Sequence, residues 1–72
     1  MRVLISSVGV RIIEVQHPDE LPISGEIFCP DNFMAVFNRM NNNFNFSKNG
    51  MKVDRPAMTP EELFNWLKEE PI

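Results

Sequence analysis

The stretch Cys29-Pro30-Asp31-Asn32-Phe33-Met34-Ala35-Val36-Phe37-Asn38-Arg39-Met40 decides how the fold is read. Pro30 suits the first position of a helix, where its missing N–H costs nothing, and Asp31 would sit near the positive end of the helix dipole. Phe33, Val36, Phe37 and Met40 recur at i, i+3, i+4 and i+7, which is one face of a helix. Asn41-Asn42-Asn43 then supplies a stop, because Asn competes with helix hydrogen bonding and tolerates left-handed geometry. The spacing therefore predicts a helix over about 30–41.

A second start lies at Thr59-Pro60-Glu61-Glu62. Thr59 is a good N-cap and Glu62, three residues on, completes a capping box. Leu63, Phe64, Trp66 and Leu67 would form the buried face of a helix over 60–69, with Trp66 as a core anchor and Pro71 as the stop. Between the two helices, Asn49-Gly50 separates Phe44–Lys48 from Met51–Arg55. Asn-Gly is the strongest short hairpin signal, because a type I′ turn needs positive φ at both central residues. Direct pairing sets Phe46 opposite Val53 and Lys48 opposite Met51.

Towards the N-terminus, Val3-Leu4-Ile5 and Val10–Val15 flank Ser6-Ser7-Val8-Gly9 and read as a hairpin. A four-residue loop pairs Ile5 with Val10 and Val3 with Ile12, which makes one face wholly apolar. A two-residue turn would set Arg2 against Arg11, and a single bent strand through Gly9 is the other alternative. His17–Pro22 reads as a loop, since its two prolines do not fit a central strand. Glu26-Ile27-Phe28 could add a short strand. The expected fold is a single α+β domain over 1–72. An antiparallel sheet, built from the N-terminal hairpin and the 44–55 hairpin, is packed by two helices at about 30–41 and 60–69.

A chain of 72 residues buries only about 60% of its unfolded surface, so stability is modest. A single cysteine, Cys29, rules out an internal disulfide and fits a reducing compartment. The apolar run after Met1 breaks at Ser6-Ser7, too short for a signal sequence or a membrane span. The expectation is a cytoplasmic protein with no membrane partner, for which the sequon Asn45-Phe46-Ser47 has no use.

Chemistry-bearing residues are sparse. One His and one Cys leave no triad, and no Gly-rich loop cradles phosphate. Cys29 at a helix start could gain thiolate character from the dipole, but it follows Ile27-Phe28 and reads as buried and inert. His17-Pro18-Asp19-Glu20 brings potential metal ligands together without a second His or a Cys to complete a set. No enzyme activity, metal or cofactor is expected. No contiguous motif is specific enough to name a family.

The net charge is −3, arranged in blocks. Residues 13–36 carry Glu14, Asp19, Glu20, Glu26 and Asp31 and no Lys or Arg; Arg39, Lys48, Lys52 and Arg55 follow, and the C-terminal helix is again acidic. Within the acidic stretch, Asp19, Glu20 and Glu26 are candidates for contact with a basic protein surface, where complementary charge speeds association. Arg39, Lys48, Lys52 and Arg55, interleaved with Phe44 and Phe46, are candidates for nucleic acid, held by phosphate contacts and base stacking. By elimination, the leading expectation is a small non-enzymatic protein that binds another protein. It would act as an inhibitor or regulator of a larger host enzyme or complex, of the kind phages and mobile elements encode. The alternative is a nucleic-acid-binding regulator using a helix and basic hairpin at 38–55. A homodimer is compatible with either.

Overall fold

The computed structural model describes residues 1–70. Six strands form one antiparallel sheet: β1 Arg2–Ser7, β2 Gly9–Glu14, β3 Glu26–Phe28, β4 Phe33–Asn38, β5 Asn43–Lys48 and β6 Met51–Lys52. Their spatial order is β2-β1-β3-β4-β5-β6. Among the described residues there is one α-helix, α1 Pro60–Glu69, which covers one face. Val3, Ile5, Ile27, Ala35, Phe44 and Phe46 from the sheet meet Leu63 and Leu67 of α1, with Val15, Leu21 and Cys29 closing the core.

The architecture corrects the expectation of two helices. Residues 30–41 are not helical. Pro30–Asn32 make one 3-10 turn, and Phe33–Asn38 then run as β4 between β3 and β5. The cause is local and tertiary together. Asp31 and Asn32 sit at φ 61° and 66°, the left-handed region, which ends any helix at its first turn. Beyond them the apolar residues satisfy a period of two as well as 3.6. Phe33, Ala35 and Phe37 point to the core, and Met34 and Val36 point away. Five of the six β4 positions, 33–37, are apolar, as suits a strand with apolar contacts on both faces. Met40, expected on the helix face, is 93% exposed. The asparagine run is a hairpin turn rather than a helix stop: Asn38 pairs with Asn43, and Asn42 takes φ 54°.

The N-terminal hairpin exists, with a different register. Val3 faces Ile13, Ile5 faces Arg11 and Ser7 faces Gly9, so Val8 alone forms the tip. A one-residue slip sends a whole set of side chains to the other face. Val10 and Ile12, expected inside, therefore lie outside; Ile13 and fully buried Val15 lie inside. This register also sets Arg2 opposite Glu14, an opposite-charge pair.

Three local readings match the structure. The Asn49-Gly50 turn has φ 54° and 77° and pairs Lys48 with Met51; Val53 N donates to Phe46 O. Glu26–Phe28 is a strand, paired with β1 on one side and β4 on the other. In α1, Glu62 N donates to Thr59 Oγ1 at 3.2 Å and Thr59 N donates to Glu62 Oε1 at 2.9 Å. Trp66, however, is only half-buried, and Leu63 and Leu67 carry the helix contact with the core. Pro71, read as the stop, lies outside the described residues.

Candidate functional site

The strand registers place a row of apolar side chains across the face that α1 does not cover. Residues directly opposite one another in a sheet share a face. Ile12 pairs with Leu4, Phe28 with Met34, and Met34 with Ser47; Leu4 and Phe28 are neighbours on continuing the Ile5–Ile27 register. The row Ile12–Leu4–Phe28–Met34 thus crosses four strands. A parallel row runs Val10–Ser6–Glu26–Val36–Asn45, with Glu26 meeting Val36 by the same continuation. Val10, Ile12 and Val36 are 65%, 64% and 41% exposed, and Leu4, Phe28 and Met34 are half-buried. Arg2 and Glu14 lie at one margin, and Ser47 and Lys52 continue the first row beyond Met34.

The candidate acidic residues separate. Glu26 stands within this face. Glu20 closes the 3-10 turn Pro18–Glu20: its Oε1 accepts from the backbone N–H of Gln16 and of His17, and those two bonds hold its carboxyl below the ordinary carboxylate range. Its charge is occupied by a local structural task. Asp19 lines a groove on the helix side of the molecule, described further below.

The candidate basic residues separate as well. Lys48 and Arg55 come together: the Lys48 ammonium is 4.9 Å and the Arg55 guanidinium 4.7 Å from the Phe33 ring centroid. Arg55 also lies 4.8 Å from the Phe46 ring and 4.3 Å from the Trp66 ring, so three aromatic rings surround it. Such contacts stabilise a half-buried cation without a carboxylate. Lys52 pairs with Ser47 and faces the other way, and Arg39 is in the turn at the far end of the β4–β5 hairpin. The four do not form one basic surface.

Cys29 is buried; its Sγ donates to Ile27 O at 3.4 Å. Burial pushes its thiol up to about 12, against a smaller opposing effect of Arg55. A thiol so far from ionisation is a poor nucleophile. Among the described residues, no three His, Cys, Asp or Glu side chains gather to hold a metal ion. No helix among them is long and apolar enough to cross a membrane.

Sequence reasoning missed the uncovered face, although its signal was present. Val3-Leu4-Ile5, Ile12-Ile13 and Phe33–Phe37 are continuous apolar runs rather than alternations, and such runs mark strands with apolar side chains on both faces. No protein family, curated protein or solved structure matches this chain.

Proposed function

We propose that this chain is a small non-enzymatic binding protein that docks on another protein through the sheet face left uncovered by α1, and so inhibits or regulates a larger enzyme or complex. The observation that carries the reading is the apolar row Ile12–Leu4–Phe28–Met34, with Val10 and Val36 beside it. An antiparallel sheet with one solvated face ordinarily alternates, apolar inside and polar outside. Here half-buried Leu4, Phe28 and Met34 adjoin exposed Ile12, with exposed Val10 and Val36 beside them, and an outer face with apolar side chains grouped in this way supports an interaction site. Glu26 in the middle, with Arg2, Glu14 and Lys52 at the margins, supplies the polar features that select a partner and fix its orientation.

The nucleic-acid reading has less support, because only Lys48 and Arg55 of its four cations adjoin, and Arg55 is already engaged by aromatic rings. The test is a nuclease-treated pull-down comparing the wild-type chain with an Ile12→Lys/Val36→Lys variant. Both positions are exposed, so the variant should keep the wild-type circular dichroism and melting curve. Capture of a discrete protein by the wild type, lost in the folded variant, is the expected result. Capture that survives the double substitution, or that disappears with nuclease, refutes the reading.

A further inference from the structure

The groove that Asp19 lines is a second surface, on the opposite side of the sheet, and its argument is independent of the uncovered face. It has a volume of about 510 Å³ and lies between the loop after β2, the Phe37–Phe44 end of the β4–β5 hairpin, and the start of α1. Its apolar part is Leu21, Phe37 and Phe44, with Ile23 at the lip. Leu21 and Phe44 are core residues, whereas Ile23 is 53% exposed and adds apolar surface that the core does not use. Pro18 and Pro60 stiffen two walls. This size and apolar character suit a site for a few side chains.

The charge around the groove has one sign. Asp19 and Glu61 are exposed carboxylates, Asn42 and Thr59 are neutral, and among the described residues no Lys, Arg or His belongs to the lining. The start of α1 opposes this with about half a positive charge. Much of that potential is already engaged. Pro60 has no N–H, Glu62 N donates to Thr59 Oγ1 and Leu63 N donates to Thr59 O. Two full negative charges outweigh the remainder, so the groove attracts cations at its margin and apolar groups at its floor.

We propose that this groove binds a peptide segment of a partner protein in which apolar side chains are flanked by lysine or arginine. The apolar side chains rest on partly exposed Phe37 and on Ile23, above the buried Leu21 and Phe44, and the cationic heads meet Asp19 and Glu61. Exposed carboxylates on two different elements of the lining favour an extended chain over a small enclosed molecule. The apolar floor provides affinity and the two carboxylates provide selectivity and salt dependence.

The experiment titrates the isotope-labelled full chain by NMR with two capped tetrapeptides, Lys-Leu-Phe-Lys and Glu-Leu-Phe-Glu. The lysine peptide should shift the amides of Leu21, Ile23, Phe37, Asn42 and Glu61 and bind about tenfold tighter than the glutamate peptide, as two exposed ion pairs allow. The preference should vanish in about 0.5 M salt, where the Debye length falls to a few ångströms. It should also vanish in an Asp19→Asn/Glu61→Gln variant, while persisting in the Ile12→Lys/Val36→Lys variant. That last comparison separates the groove from the uncovered sheet face. Equal affinities, a preference for the glutamate peptide, shifts confined to other surfaces, or no saturable shift with either peptide would each overturn the proposal.

Discussion

Replacing Ala35 with leucine and, in a separate variant, Val36 with lysine tests the strand assignment of β4 directly. Ala35 is fully buried and stands between Ile27 on β3 and Phe46 on β5, both core residues. Leucine adds three carbons to a filled space, and overpacking of that kind costs roughly 1–3 kcal/mol. At roughly 0.05–0.15 kcal/mol per residue, a chain of 72 residues has only about 4–11 kcal/mol in total. With a urea dependence of about 1 kcal/mol per molar for so small a domain, the unfolding midpoint should fall by roughly 1–3 M. Val36 is 41% exposed on the outer face, so lysine there should change stability by no more than about 0.5 kcal/mol. Urea titration followed by the fluorescence of Trp66, the one tryptophan, reads both variants. A helix over 30–41 would reverse the order, because its buried face would hold Val36 and not Ala35. A midpoint lowered as much by Val36→Lys as by Ala35→Leu would refute the strand assignment and, with it, the uncovered face.

Three further expectations rest on individual residues. The Cys29 thiol should resist a disulfide reagent at pH 8 in the native protein and react at once after unfolding; immediate native labelling would contradict its burial. Because its pKa rises from about 9 to about 12 on folding, its contribution to stability is intact below pH 9 and is lost as pH climbs through 12, so a Cys29→Ala variant should show a shallower alkaline loss in thermal melts. Gly25 and Gly50 both have positive φ, but a Cβ at Gly25 would come within 2.7 Å of Ser6 O, whereas one at Gly50 meets nothing within 4 Å. Gly25→Ala should therefore lower the melting temperature more than Gly50→Ala, and the reverse order would contradict the close approach of that loop to β1.

Where the determinants are local, the amino-acid sequence alone specifies the outcome. Thr59-Pro60-Glu61-Glu62 starts α1 because the reciprocal cap bonds involve residues three apart. Asn49-Gly50 makes its turn because both residues accept positive φ without help from elsewhere. The block pattern of charge is likewise written in the order of the residues. Phe33–Asn38 carried no such determinant in its own residues: the same apolar side chains fit a helix face or the two sides of a strand, and the left-handed Asp31 and Asn32 before them show only in the structure. Pairing with β3 and β5 decided it, since only the strand satisfies the backbone of both neighbours and buries Ala35 in the core between Ile27 and Phe46. The hairpin register of β1 and β2 was open in the same way until Ile13 and Val15 went inside, and that choice turned Val10 and Ile12 outward. The groove brings Asp19 and Glu61 to one surface although 42 positions part them in sequence. Both candidate surfaces are thus products of long-range pairing. The side-chain alternation of a strand gives a face its content only after the neighbouring strands have fixed which way it points.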